Sequence, residues 1–209
     1  MQEPRISLFL APLVIFSIVG GGCITGQSQQ ADFFVLGDMP GDRPSDANFL
    51  QGASFHVAQT EIPAYLEGSR MVKRTSANQL SYAEFHRWSE TLDLGISRVV
   101  ANNLSSTLNI LNFSHYPNRP RPSNHYQITV TVQQFERIPN GKIVFKGSWR
   151  LFVKQEQKLI VPLEESAPIN GVSHDAMVRA MNTVLRKVSD HMVKRLVEHH
   201  LNESDPTKP

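Results

Sequence analysis

One stretch of this sequence restricts the fold more than any other, because apolar and polar residues alternate along it. Apolar residues stand at every second position from 126 to 132, with polar residues between them. A period of two places the apolar set on one face of a β-strand. The sequence Pro139-Asn140-Gly141 follows, and Asn-Gly is a strong signal for a hairpin turn. The returning strand carries its own apolar set: Ile143, Phe145, Trp149, Leu151 and Val153.

A helical period replaces this alternation in the middle of the chain. The apolar positions there recur every three or four residues, which places them on one face of a helix: Trp88, Leu92, Ile96, Val99, Val100, Leu104, Leu108 and Leu111. Ser89 is the expected N-cap. The alternative start is the capping box formed by Ser81 and Glu84. We prefer the later start, because Tyr82 and Phe85 suit a strand.

A second helix is predicted near the end of the chain. Ser173 and Asp175 stand where this helix would begin, and both residue types favour helix N-termini. The stripe that follows is long and amphipathic: Met177, Met181, Val184, Leu185, Val188, Met192 and Leu196. The sequence therefore predicts two long amphipathic helices.

Shorter apolar runs predict the remaining strands. We expect strands at Phe33 to Leu36 and Phe55 to Gln59, a hairpin of 71–74 with 79–85, and a further strand near 158–161. The order of elements predicts an α/β protein of the α+β type. It would have a single domain, with a mixed, mostly antiparallel sheet packed by the two helices. We assign residues 32–200 to this domain and residues 201–209 to a disordered tail.

The N-terminus has the pattern of a lipoprotein export signal. Residues 6–19 are mostly apolar and follow Arg5, a stretch too short to span a membrane comfortably but suited to a signal peptide. Gly20-Gly21-Gly22 then precede Cys23, the single cysteine of the chain, and this segment resembles the bacterial lipobox. It departs from that motif because Gly20 stands where an aliphatic residue is usual. We expect a signal peptide over 1–22, lipid on Cys23 and a flexible tether over 23–31.

Two other interpretations of the N-terminus stay open. One is an ordinary secretory signal with an incidental free thiol, and the other is an uncleaved anchor. Under the lipoprotein interpretation, the residue after the cysteine is Ile24 rather than Asp. By resemblance to enteric sorting rules, this favours the periplasmic face of the outer membrane of a Gram-negative cell.

Composition and motifs exclude several classes of function. One cysteine rules out an intramolecular disulfide and a multi-cysteine metal site. The formal charge is +2, with Lys and Arg spread along the chain, so nothing indicates a nucleic-acid partner. The chain has no nucleophile elbow, no zinc-protease motif and no Gly-rich phosphate loop. We therefore expect no catalytic residues, no metal and no cofactor.

Several segments together carry a resemblance to a known family. They are F-F-V-L-G at Phe33 to Gly37, I-P-A-Y-L-E-G-S-R-M-V-K-R at Ile62 to Arg74, N-Q-L at Asn78 to Leu80, and H-R-W-S-E-T-L at His86 to Leu92. With the lipoprotein N-terminus and the later sheet around Trp149, this pattern resembles the ABC-type transport auxiliary lipoprotein family, and within it the paraquat-inducible type. The resemblance singles out six positions as structural or partner-binding: Tyr65, Leu66, Arg74, Asn78, Trp88 and Trp149.

The resemblance implies an accessory subunit of an intermembrane lipid transport system. The implied partners are a mammalian-cell-entry (MCE) domain protein with its membrane subunits and the outer-membrane lipid that holds the anchor. A homo-oligomeric ring is also implied. Two alternatives stay open, a structural or assembly lipoprotein of another envelope complex and a monomeric lipid carrier. From the residues alone, Trp88 and Trp149 are better explained as core than as ligand-stacking side chains.

The Cys23 assignment generates a first prediction. Replacing Cys23 with Ser removes the thiol that would carry lipid, and several acyl chains are needed for firm membrane attachment. We expect the Cys23→Ser domain to fold but to leave the membrane fraction, measured by fractionation and immunoblotting. A Ser variant that stays in the membrane fraction would contradict the lipoprotein assignment.

Overall fold

The computed structural model describes residues 29–44, 52–119 and 126–203. The signal peptide, Cys23 and residues 204–209 lie outside the described residues. The elements in chain order are β1 (Asp32–Phe34), β2 (Phe55–Val57), β3 (Arg70–Ser76), β4 (Gln79–Trp88), α1 (Leu92–Leu108), β5 (Phe113–His115), β6 (Tyr126–Arg137), β7 (Lys142–Val153), β8 (Glu156–Pro168) and α2 (His174–Glu203).

Strand β6 is the centre of one eight-stranded mixed sheet. One of its edges pairs along its full length with β7, which in turn pairs with β8, and both pairings are antiparallel. The other edge is shared. Its first residues pair in parallel with β2, and its last residue, Arg137, pairs with Lys73 of β3. The sheet therefore continues from β6 along two separate branches, β2–β5 and β3–β4–β1.

The predicted hairpin of β6 and β7 is confirmed, with Gly141 in the turn at a positive φ of 77°. Its register changes once, because a bulge lies between Val132 and Gln134. At that level Gly147 faces the β6 backbone so closely that a Cβ atom would lie 2.1 Å from the carbonyl oxygen of Thr131. Only glycine fits there.

Both helices cover the sheet and pack against each other. Helix α2 begins after Ser173, whose Oγ accepts a hydrogen bond from the Ala176 N–H at 3.1 Å. Its predicted apolar stripe is buried from Met177 to Leu196. The helix runs to Glu203, so the first residues of the expected tail are helical.

A strap formed by residues 37–41 connects β1 to both helices. The Gly37 N–H donates to the side-chain oxygen of Asn182 on α2 at 3.0 Å. The Met39 N–H donates to Asn103 on α1 at 2.7 Å, and the Gly41 N–H donates to the Thr107 hydroxyl at 3.0 Å. Side chains of the helices thus satisfy backbone groups that no strand partner reaches.

Three details of the first helix differ from the prediction. The helix begins after Thr91 rather than Ser89, and Trp88 is the last residue of β4, in register with Phe34 of β1. Trp88 fits the helical stripe only by its spacing, because pairing with β1 decides its conformation. The helix ends where Asn109 adopts a left-handed conformation, which leaves Leu111 96% exposed.

Several strand boundaries also differ. Strand β8 is much longer than expected, β1 and β2 are shorter, and β5 was not predicted. The rejected capping box at Ser81 and Glu84 lies inside β4, as the preferred interpretation required. The fold class is confirmed as one α+β domain with a mixed, mostly antiparallel sheet and two helices.

The close approach at Gly147 generates a prediction. In Gly147→Ala the added methyl group must displace the β6 backbone, so we expect a loss of about 1–3 kcal/mol in the free energy of unfolding. The matched control is Ser148→Ala at the next residue, which pairs with Thr131 and should stay within about 0.5 kcal/mol. Urea denaturation measures both. Equal stability of the two variants would contradict the described approach of β6 and β7.

Candidate functional site

A buried carboxylate on β6 organises the segment that carries the family resemblance. Glu136 is 1% exposed. Its Oε2 accepts a hydrogen bond from the Tyr65 hydroxyl at 2.8 Å, and its Oε1 accepts one from the Arg74 Nε–H at 2.8 Å. Gln134 donates to Oε1 at 2.9 Å, and the Phe135 N–H donates to Oε2 at 3.1 Å. We call Tyr65, Arg74, Gln134 and Glu136 the Glu136 cluster.

The local sequence explains why these groups meet. Pro63 precedes the short 3-10 turn Ala64–Leu66, in which Leu66 is buried and Tyr65 points towards β6. Arg74 comes from β3, and its guanidinium also donates to the Ala77 carbonyl at 3.0 Å. The bulge in β6 leaves Phe135 packed in the core against Phe145. Glu136 therefore lies on the opposite face of the strand.

The electrostatics of the cluster favour fixed protonation states. Burial, followed by the hydrogen bond and charge of Glu136, raises the pKa of Tyr65 well above its usual range. The hydrogen bond that Arg74 donates to the Glu136 carboxylate raises the pKa of Arg74. Tyr65 thus stays a neutral donor and Arg74 stays a cation at physiological pH. Such a cluster holds chain segments together.

The structure brings together only two of the six predicted positions. Tyr65 and Arg74 meet at Glu136, whereas Leu66, Trp88 and Trp149 are separate parts of the buried core. Asn78 lies in the exposed turn between β3 and β4.

Sequence reasoning missed Glu136 and Gln134. The available signal was a carboxylate next to Phe135, near the end of a strand whose alternate residues from 126 to 132 are apolar. Such a residue, when buried, needs a partner.

A second feature is a cavity of about 280 Å³ between β3, β4, the end of β6 and the start of α2. Four of the side chains that line it are basic or imidazole groups: Lys73, His86, Arg137 and His174. The rings of His86 and His174 stack with their centroids 3.6 Å apart, and Asp32 Oδ2 lies 3.6 Å from His86 Nε2. We call this the His174 cavity.

Burial and nearby charges both affect the titration of His174. Burial first, and then the charges of His86, Lys73 and Arg137, lower the pKa of His174, while Asp32 opposes them. Among the residues that the structure describes, no group of three or more His, Cys, Asp or Glu side chains is arranged to hold a metal ion. No helix in those ranges is long and apolar enough to cross a membrane.

The fold and the Glu136 cluster define a class of protein: a single α+β domain in which a buried ion pair holds the segment from Tyr65 to Arg74 against the central strand. Comparison with known sequences defines it further. The chain belongs to the ABC-type transport auxiliary lipoprotein component family, whose family model matches residues 34–193. This is a family of transport auxiliary lipoproteins and not a family of enzymes, and it is the one that the sequence pattern resembles.

Known relatives agree with this assignment. The chain is 27% identical over 125 residues to the intermembrane transport lipoprotein PqiC of Escherichia coli strain K12. The match covers 60% of this chain and 65% of that protein. PqiC of Shigella flexneri matches with the same identity and coverage.

Two crystal structures share the fold. One is of a Xanthomonas campestris protein of family DUF330, with a TM-score of 0.67, 13% identity and coverage of 83% of this chain and 99% of the other. The second is of an uncharacterized protein, with a TM-score of 0.67, 21% identity and coverage of 80% and 99%.

The Glu136 cluster generates a prediction about stability. Tyr65→Phe removes one donor from a buried carboxylate, and hydrogen bonds to charged groups contribute about 1.5–3 kcal/mol. We expect a loss of that size in the free energy of unfolding. The matched control is Tyr82→Phe, because the Tyr82 hydroxyl donates only to an exposed carbonyl, that of Tyr65, at 3.3 Å. A similar loss of unfolding free energy in both variants would show that the hydrogen bond from Tyr65 to Glu136 does not stabilise the fold more than an exposed one.

Two histidines generate a prediction about pH. Burial and then His115 lower the pKa of His56, and the pKa of His174 is also lowered. Below about pH 6.5 the unfolded chain therefore binds more protons than the folded one, so stability decreases as pH falls. Well above that pH both histidines are neutral in both states and contribute nothing.

The measurement is urea denaturation at pH 7.5 and pH 5.5. We expect the wild type to lose stability on acidification and the double variant His56→Asn, His174→Gln to lose less. An equal loss in both proteins would contradict the predicted role of these two imidazoles.

Proposed function

We propose that this chain is an outer-membrane lipoprotein that serves an MCE-type intermembrane lipid transport system as a non-catalytic accessory subunit. In this proposal Cys23 carries the lipid anchor, and the α+β domain docks the periplasmic conduit at the outer membrane. The observation that supports it most strongly is the family match over residues 34–193. The similarity to lipoproteins named for intermembrane transport adds to that support.

The length of the tether limits where the domain can work. Eight residues, 24–31, separate Cys23 from β1. Even fully extended they span at most about 30 Å. A lipid on Cys23 would therefore keep the domain close to the membrane surface, which suits a subunit that receives a conduit at the membrane.

The first strand after the tether exposes apolar side chains. Phe33 is 63% exposed and Val35 is 53% exposed, and both lie at or next to the edge strand β1. Exposed aromatic and aliphatic residues are common anchors in protein interfaces. We expect the partner contact to include this segment, with affinity coming mainly from apolar burial rather than from charge.

The proposal can be tested by site-specific photo-cross-linking in cells. A photoreactive amino acid replaces Phe33 in the full chain, and the cross-linked products are isolated in gentle detergent and identified by mass spectrometry. The matched control places the same amino acid at Ile160, an exposed apolar residue on β8. The Cys23→Ser chain is tested in parallel.

We expect an MCE-domain protein to cross-link at position 33, but not at position 160 and not to the Cys23→Ser chain. A second copy of the chain at position 33 would favour an oligomeric ring through this strand. Cell-wall or assembly factors in place of an MCE protein would overturn the transport role and favour a structural lipoprotein.

A further inference from the structure

The His174 cavity contains two cations that lack a counter-ion. Lys73 and Arg137 are register partners on the neighbouring strands β3 and β6, and both line the cavity. Within the described ranges, neither side chain takes part in an ion pair or a side-chain hydrogen bond. Like charges in register on adjacent strands destabilise a sheet. An anion between them would remove that repulsion.

In the part of the chain that the structure describes, two carboxylates lie near these cations, although neither forms an ion pair with them. Glu84 is the carboxylate among the lining residues, and Asp32 is next to His86. With both histidines neutral, the lining residues Lys73, Arg137 and Glu84 sum to +1, and Asp32, which lies beside His86 but is not a lining residue, brings the sum to zero when it is counted. His174 is also the first residue of the 30-residue helix α2, whose N-terminus adds to the positive field. Burial is the largest cause of the lowered pKa of His174, and the charges of Lys73 and Arg137 add to it.

Part of the cavity wall is apolar. Met71, Phe85 and Met177 line it beside the cations, and thioether side chains adapt to ligands of varied shape. The volume of 280 Å³ equals that of about nine water molecules. This is room for a phosphate and a few neighbouring carbon atoms, but not for two complete acyl chains. A small oxyanion alone would leave the apolar wall unused.

We propose that the His174 cavity binds the phosphate head group of an anionic lipid, with Lys73 and Arg137 contacting the phosphate and the two methionines contacting the adjoining apolar atoms. This subunit would then hold lipid cargo by its head group in addition to docking the conduit. The biological meaning rests on the proposed transport role. Lipid binding itself is measured without any partner protein. A failure of lipid binding is therefore distinguishable from a failure of the proposed transport role.

The test uses the full chain, isolated from Gram-negative envelopes in non-ionic detergent with ¹³C-labelled histidine rings. Inorganic phosphate, dihexanoyl phosphatidylglycerol and the net-neutral dihexanoyl phosphatidylcholine are titrated separately, and the ring resonances of His86 and His174 are followed by NMR. The charge-removal variant is Lys73→Gln, Arg137→Gln. The matched control is Arg150→Gln, Lys194→Gln, which removes the same charge from residues that do not line the cavity.

We expect phosphatidylglycerol to bind at least tenfold more tightly than inorganic phosphate or phosphatidylcholine, and to raise the pKa of His174. The charge-removal variant should bind it at least tenfold more weakly, while the control stays within twofold of wild type. If inorganic phosphate binds as tightly as phosphatidylglycerol, the proposal that the ligand is a lipid head group is wrong. If the wild type and the charge-removal variant bind phosphatidylglycerol equally tightly, the His174 cavity is not the binding site.

Folding of the variants is followed separately by thermal melting. We expect the charge-removal variant to melt no lower than wild type, because it relieves repulsion between register partners. Should it melt lower, the titration of His174 in the wild-type chain still decides the question. A His174 pKa that does not change on adding phosphatidylglycerol overturns the proposal.

Discussion

The structure depends on how the central strand β6 is shared between its neighbours. One edge of β6 binds β7 throughout, while the other edge supports two separate branches of the sheet. A single bulge after Val132 changes which face each following side chain takes. The same bulge brings Phe135 into the core. It also places Glu136 on the opposite face, where Tyr65 and Arg74 donate hydrogen bonds to it. At the level of this bulge, Gly147 of β7 lies so close to the β6 backbone that a Cβ atom would clash with the Thr131 carbonyl oxygen.

The Glu136 cluster illustrates how a buried charge can specify structure. Breaking a buried ion pair by removing one partner costs several kcal/mol, although the intact pair adds little net stability over an apolar replacement. Its main effect here is positional. Tyr65 and Arg74 approach Glu136 from opposite ends of the segment that begins at Ile62. One carboxylate therefore holds both ends of that segment, in addition to the burial of Leu66 and Met71 in the core.

Much of the fold could be predicted because period and turn chemistry are local properties. The β6–β7 hairpin and the stripe of α2 follow from spacing alone. Trp88 could not be placed correctly, because its helical spacing is coincidental and its pairing with β1 joins residues more than fifty positions apart. The hydrogen bonds of Tyr65 and Arg74 to Glu136 could not be predicted either, since Glu136 lies more than sixty positions away from each. The cation pair of the His174 cavity likewise depends on a single long-range register.

The strap of residues 37–41 also has a mechanical consequence. A protein fixed to a membrane at one end and to a large assembly at the other carries tension, which would enter this domain through β1. Pulling along that short strand loads its hydrogen bonds with β4 in shear, so they must fail together rather than one after another. Behind β1, the bonds of the strap to Asn182, Asn103 and Thr107 pass the load on to both helices. Under such tension, the strap would hold the C-terminal end of the edge strand to the rest of the fold.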